Sequence, residues 1–257
     1  MIKVMVGGAG GKMGSQICKS VMKEDGFELV AAVDINGVSN TIDGIEIKDA
    51  GKIKEIFRDL RPDVYVDFTT PAATIRNMTV AVDEGVKNLV IGTTGFSNDQ
   101  EKEIKQIVAD KVTAVISPNF SIGVNVFWQI IEEAAKYLNG YDVEILEIHH
   151  RYKKDSPSGT ANKAYKIICD VVGEKVKKYG REGFSERDDE IGIHSVRLGD
   201  VVGDHTVFFG GDGERLEITH RAHSREAFAS GVIRSIYWLF ETERGKKIYS
   251  MADVLGL

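Results

Sequence analysis

The stretch that most constrains this chain lies at its start. Ile2 to Val6 is a short apolar strand that runs straight into Gly7-Gly8-Ala9-Gly10-Gly11-Lys12-Met13-Gly14. A helical pattern follows, with Met13, Ile17, Val21 and Met22 at helical spacing. Phe27 to Val33 reads as the next strand and ends on Asp34. Strand, glycine turn, helix, strand, acid is the order of a dinucleotide-binding unit. Glycines let the backbone come close to a pyrophosphate, and a helix N-terminus attracts it with unpaired N–H groups. The strict G-x-G-x-x-G spacing is absent because position 13 is Met; Gly8, Gly11 and Gly14 fit G-x-x-G-x-x-G instead. The alternative is a tight β–α turn that holds no ligand. The preceding strand, together with Asp34 twenty residues beyond Gly14, favours the nucleotide.

The alternation continues. Val64 to Phe68, Leu89 to Ile91 and Val112 to Ile116 read as strands. They end in Thr69-Thr70-Pro71, Gly92-Thr93-Thr94-Gly95 and Ser117-Pro118-Asn119-Phe120, with helices from about Pro71 and after Ser97 between them. Strands that alternate with helices imply a parallel sheet, and ligands of such sheets bind beyond the carboxyl ends of the strands. Small, hydroxyl and amide residues at these ends suit a nucleotide, although turn and cap chemistry calls for the same residues.

After Asn119 the pattern changes. A helix from Ser121 to about Leu138 leads to a strand, Val143 to Ile148, and then to His149-His150-Arg151-Tyr152-Lys153-Lys154. Five of those six residues are basic. Pro157 and Gly159 break the chain, Ser158 is a good N-cap, and Ala161, Ala164, Tyr165, Ile168 and Cys169 share one face of the helix that follows. A strand end, a cationic turn and a helix N-terminus thus meet within fifteen residues, a pocket for a small anion such as a carboxylate or phosphate. Tyr179 to Glu190 reads as a loop, three alternating strands run from Ile191 to His220, and a helix from about Arg225 to Phe240 precedes a short tail. The expected fold class is therefore α/β: an N-terminal Rossmann-like parallel sheet over 1–121, a second α+β domain on a mixed sheet over 122–227, and a last segment, 228–257, packed back on the first.

Charge narrows the partners. Lys and Arg number 33 and Asp and Glu 39, a formal net charge of −6, so the basic turn is a local feature and nucleic acid is not the expected partner. No membrane span or signal segment is visible, and Cys18 and Cys169 read as core residues of a reducing compartment, so the expectation is a cytoplasmic protein. All six histidines lie in the second half, but no cysteine or carboxylate set completes a zinc site around His220 and His223, so no metal is expected. His194, His205, His220 and His223 read for the most part as hydrogen-bonded sheet or interface residues.

Assembled in order, these motifs resemble the dihydrodipicolinate reductase (4-hydroxy-tetrahydrodipicolinate reductase) family over nearly the whole chain. The most specific stretch is Glu147 to Lys153 with Asp155-Ser156-Pro157-Ser158-Gly159-Thr160-Ala161. Gly199 to Thr206 and Gly213 to His220 add to it. The resemblance implies reduction of a cyclic dicarboxylate by NADH or NADPH, on the diaminopimelate route to lysine, by a homotetramer. It implies that His149 is the general acid/base and Lys153 a second catalytic group, and that His150, Ser158, Gly159 and Thr160 hold substrate. It places nucleotide contacts at Gly8, Ala9, Gly10, Gly11, Lys12 and Met13, at Asp34, at Gly92, Thr93 and Thr94, and at Ser117, Pro118, Asn119 and Phe120. Tyr152 stands where the family commonly has His, and Ser156 where it commonly has Ala. NADP-using relatives carry an arginine immediately after the acid, whereas Ile35 stands here, so NADH is the expected preference, with NADPH also used through Lys12. Two rivals remain at this stage: an oxidoreductase of similar build that acts on another small acid, and a nucleotide-sensing protein without chemistry. An intact His149 and Lys153 argue against the second.

Overall fold

Alternation along the first strand already specifies a sheet with two covered faces. In β1 (Ile2–Gly7) Val4 and Val6 point one way and Met5 the other, and all three are fully buried. Such all-round burial marks a parallel sheet, because its crossover helices lie on both faces. The structure is a computed structural model that describes residues 1–257. Its elements continue as α1 (Lys12–Met22), β2 (Phe27–Asp34), β3 (Thr41–Ile42), β4 (Ile45–Asp49), α2 (Ile53–Leu60), β5 (Val64–Asp67), α3 (Pro71–Asp83), β6 (Asn88–Ile91), α4 (Asn98–Val108) and β7 (Thr113–Ile116). Next come α5 (Ile122–Tyr137), β8 (Asp142–His149), α6 (Gly159–Val172), β9 (Val176–Lys178), β10 (Glu190–Arg197), β11 (Gly203–Gly211) and β12 (Glu214–Ala222). The chain closes with α7 (Glu226–Glu241), β13 (Ile248–Tyr249) and α8 (Met251–Leu255).

These elements form two units: Met1–Ile122 with Phe228–Leu257, and Gly123–Ala227. The first holds an eight-stranded sheet in the order β13-β7-β6-β5-β1-β2-β4-β3, parallel except for the β3–β4 hairpin. Val4, Val6, Val66 and Val90 meet Ile17 and Val21 of α1 and Val232 and Ile236 of α7 on one face. Met5, Tyr65 and Leu89 meet Phe57, Met78 and Ile104 on the other. Burying each such side chain stabilises the fold by about 1.5–3 kcal/mol. Segment 35–63 holds β3, β4 and α2. The hairpin turn there is Asp43-Gly44, with φ of +47° and +90°, the pair of positive angles that suits a two-residue turn. The short tail likewise contributes β13, the strand beside β7. No helix is long and apolar enough to cross a membrane.

The second unit is built on a five-stranded sheet in the order β12-β11-β8-β10-β9. β8, β10 and β9 are parallel, and β11 is antiparallel to both β8 and β12, which makes the sheet mixed. Val143, Ile145, Ile193, Val207 and Phe209 pack under Phe127, Trp128 and Ile131 of α5 and Ala164 and Ile168 of α6. Ser158 caps α6 by accepting the Ala161 N–H at 3.2 Å. Glycine at 192 is required by packing, since a Cβ there would collide with the Glu144 carboxylate of the neighbouring strand.

Candidate active site

In the first unit the sheet delivers every candidate nucleotide residue to one edge. Gly8 to Met13 follow β1, Asp34 ends β2, Gly92 to Thr94 follow β6, and Ser117 to Phe120 follow β7. Parallel strands put all four loops at the carboxyl end. Gly8 has φ +80°, and a Cβ there would strike the Phe68 carbonyl oxygen; a Cβ at Gly14 would strike the Gly8 carbonyl. The turn is therefore closed down on its own backbone, while Gly10, Gly11 and Lys12 are exposed. No side chain caps α1, so its first-turn N–H groups keep their capacity for an anion. Asp34 braces the turn by accepting from Gly10 N–H at 2.9 Å and Asn36 N–H at 2.8 Å. Each carboxylate oxygen has a lone pair to spare for a ribose hydroxyl. These residues fit a dinucleotide.

Beneath that edge lies a group that sequence reasoning missed. Asp67, the last residue of β5, is completely buried. Its Oδ2 accepts from Tyr65 O–H at 2.6 Å and Asn77 Nδ2 at 3.2 Å. Its Oδ1 accepts from Thr69 N–H at 3.0 Å and from the hydroxyls of Thr69, Thr74 and Thr93 at 2.6, 2.8 and 3.1 Å. Burial alone would make a carboxylate prohibitive there, and six donors offset that cost. The same bonds fix the loops after β5 and β6. The Thr93 hydroxyl is thus turned inward, and it is Thr94 that is exposed. Phe120 is also a core residue: its ring lies 5.7 Å from that of Phe68, and a Cβ on Gly231 of α7 would collide with its carbonyl oxygen.

The second unit has its own polar centre. Along β8 the residues that face α5 and α6 run Val143, Ile145, Glu147, His149, so an apolar face turns polar at the strand's end. Glu147 is completely buried and His149 is 8% exposed. The His149 Nδ1 lies 2.5 Å from Glu147 Oε2. Arg197 of β10, the register partner of His149, donates to both oxygens of Glu147 at 2.8 and 2.9 Å, and Ser158 N–H donates to Oε1 at 3.2 Å. Burial opposes ionisation of Glu147, but the bonds from His149, Arg197 and Ser195 outweigh it and hold the carboxyl far below its ordinary range.

His205 of β11 sits beside this pair, its ring 5.1 Å from that of His149 and edge-on to it. Its Nε2 is 3.0 Å from Ser158 Oγ, so the cap of α6 is itself held by an imidazole. Burial, with the neighbouring His149 adding to it, pushes His205 down to about 3, so it stays neutral. It is a hydrogen-bonded strand histidine, as read in the sequence, and it also borders the polar centre. Lys153, in the turn after β8, is bound through both oxygens of Asp155 at 2.8 and 2.9 Å. Burial works against ionisation of Asp155, and Lys153 draws it below its ordinary value. Lys153 N–H also closes the turn onto the His150 carbonyl at 3.1 Å. Gly159 and Thr160 open the first turn of α6, and a Cβ on Gly159 would meet open space. The structure therefore gathers His149, His150, Lys153, Ser158, Gly159 and Thr160 at one end of one sheet. The sequence signal for Glu147 was an acid at a strand position whose neighbours two and four residues before are apolar. Arg197 carried no local signal, and His205 stood out only as a strand histidine within the Gly199 to Thr206 stretch.

A doubly wound sheet with a glycine turn and an acid at the end of its second strand, in one chain with a buried imidazole–carboxylate pair beside a cationic turn, defines a dinucleotide-dependent oxidoreductase. Comparison with known proteins makes this particular. Family models described as dihydrodipicolinate reductase, N-terminus and C-terminus, match residues 2–120 and 123–255. A 4-hydroxy-tetrahydrodipicolinate reductase of Methanococcoides burtonii is 46% identical over 265 residues, and one of Methanosarcina barkeri is 48% identical over 266; each alignment covers 100% of both chains. The dipicolinate-bound dihydrodipicolinate reductase of Paenisporosarcina sp. TG-14 superposes with a TM-score of 0.79 at 30% identity, over 98% of each chain. The chain belongs to the dihydrodipicolinate reductase family, whose members are oxidoreductases with a Rossmann-type pyridine-nucleotide unit.

The depressed His205 has a measurable consequence. Between pH 6.5 and about 3 the unfolded chain binds a proton that the folded chain refuses. Its stabilising contribution is therefore complete above pH 6.5 and is lost as pH falls through that window. His205→Gln retains a group that can bond Ser158 but does not titrate. Its thermal midpoint is expected to decline less steeply with acidification than that of the wild type. Parallel slopes in a series of melting curves would assign the acid sensitivity to another group.

Proposed function

We propose that this chain reduces 4-hydroxy-tetrahydrodipicolinate to tetrahydrodipicolinate with a reduced pyridine nucleotide, on the diaminopimelate route to lysine. The observation that carries the reading is His149, buried against an ionised Glu147 at the end of β8 and next to a cationic turn. It lies in a chain that matches the family from end to end. Bound reduced nicotinamide supplies the hydride. His149 supplies the proton, because an imidazole changes charge near neutral pH and can return to its starting state between turnovers. Lys153, His150 and the start of α6 at Ser158, Gly159 and Thr160 hold the two carboxylates. The Ser158 N–H is already given to Glu147, so its part is to cap and place the helix. Lys153 meets the substrate by sharing or releasing Asp155. Gly8 to Met13, Gly92 to Thr94 and Ser117 to Phe120 line the nucleotide's place, Phe120 through its backbone.

His149→Ala is expected to lower kcat by about 100- to 10,000-fold with nucleotide affinity near normal. Lys153→Ala is expected to harm both substrate KM and kcat more than Lys154→Ala does. Consumption of reduced nicotinamide, followed by absorbance after addition of freshly generated substrate, measures both. A fall of less than about fivefold in the histidine variant would assign the proton to another donor.

NADH is the preferred nucleotide in this reading. Asp34 accepts ribose hydroxyls and repels a 2′-phosphate, and Ile35, 72% exposed, offers it neither charge nor donor. Lys12 is exposed and offsets part of the repulsion. A ratio of about tenfold in kcat/KM, or ~1.4 kcal/mol, is expected in favour of NADH. A clear preference for NADPH in the same buffer would give Lys12 the larger weight.

The assembly we propose is a homotetramer. The face of the second sheet that carries Leu146, Ile148, Val196 and Phe208 has no helix of its own unit over it, and these residues are half-buried or exposed. A scattering mass four times that of the chain is expected at micromolar concentration; a monomer mass would leave this face open to water.

A further inference from the structure

Glu147 and Arg197 lie outside the set that touches substrate in the reading above, yet they decide what His149 can do. A carboxylate that is ionised only accepts hydrogen bonds, so the atom facing Glu147 Oε2, the His149 Nδ1, carries the hydrogen. The other ring nitrogen, Nε2, points toward β11 at Gly203. A Cβ built on Gly203 would stand 3.0 Å from that Nε2, so any side chain there would press on the atom. Every other ionisable neighbour is already engaged or neutral. His205 is spent on Ser158 and stays uncharged, and His220, its cross-strand partner, is also lowered, first by burial. Lys153 is paired with Asp155. Arg197 holds both oxygens of Glu147 and also donates to the Asp155 carbonyl at 2.6 Å, which ties the cationic turn to the same guanidinium.

On the reading that His149 is the acid, we infer that Glu147 and Arg197 are its positioning residues: Glu147 locks the imidazole with Nδ1–H inward so that the proton exchanged with substrate travels through Nε2, and Arg197 keeps Glu147 from taking that proton. In the step, the Nε2–H bond of the imidazolium breaks and its electron pair stays on Nε2. The proton goes to the substrate, the hydride from the reduced nucleotide brings the electron pair that reduces it, and the 4-hydroxyl leaves as water. The product is a neutral imidazole that still donates from Nδ1 to Glu147, and solvent returns the proton to Nε2. Glu147 never changes its protonation state.

The test separates this from a merely structural role. Without the adjacent negative charge the imidazolium is less favoured, so in Glu147→Gln the high-pH limb of the kcat profile is expected to move to lower pH by about one unit or more. kcat itself is expected to fall about 10- to 100-fold with nucleotide KM unchanged, and Glu147→Asp, which restores the charge, is expected to bring the limb back. A fall in kcat with the limb unmoved overturns the assignment. Gly203→Ala keeps every charge and puts a methyl against Nε2: it is expected to lower kcat at least tenfold without moving the limb, and full activity would remove Nε2 as the exchanging atom. Should Glu147→Gln not fold, nitrogen-15 spectra of the wild-type imidazole decide, with the His149 signal identified by its loss in His149→Ala. The neutral ring is expected with hydrogen on Nδ1, and hydrogen on Nε2 overturns the inference. If His149→Ala turns over normally, the reading of His149 as the acid fails first and this inference with it; if that variant is inactive and the limb or the tautomer disagrees, the inference fails alone.

Discussion

A carboxylate removed from water must be met by donors on nearly every lone pair, or the fold that contains it does not persist. Two acids in this chain, Asp67 and Glu147, are completely buried, one in each unit. Around Asp67 the donors come from β5, α3 and the loops after β5 and β6. Around Glu147 they come from β8, β10 and the start of α6. In both cases the acid lies at or within two residues of the carboxyl end of a strand, just before loops that need another anchor. The functional loops are thus held by polar bonds to a single hidden charge, while apolar packing fixes the elements from which they spring.

This arrangement divides labour by protonation behaviour. Glu147 stays ionised and His205 stays neutral, one because guanidinium and imidazole donors surround it, the other because burial forbids its charge. Between them lies His149, which touches both. Two neighbours that hold their states thus flank one ring. The link of the cationic turn to Arg197 through the Asp155 carbonyl means that the charge which steadies Glu147 also steadies the turn.

Much of the first unit was legible in residue order because its signals are local. A strand followed by glycines, a helix face and a terminal acid lie within one short stretch, and the capping residues Ser97 and Ser158 stand next to the helices they start. The hairpin at Asp43-Gly44 was equally local, but β3 spans only two residues, so no second alternating run stood beside β4 to mark it. The cluster around Glu147 was only half legible. His149 and Lys153 stand in one motif, but Arg197 lies fifty residues away and His205 farther still, and only the register of β8 with β10 and β11 brings them together. Asp67 was hidden for another reason: an acid that closes an apolar strand reads as the first exposed residue of a turn, and nothing in the order of residues shows that Tyr65, Asn77 and three threonines converge on it.

The first unit is also discontinuous in the chain. Its sheet has all but one strand by residue 116, yet the face that carries Val4, Val6 and Val66 receives Val232, Ile236, Met251 and Val254 only from the last thirty residues. On a ribosome this means that the part made first stays half clothed until residues 228–257 emerge. A chain cut before residue 228 would lack a wall of its first unit rather than a dispensable tail.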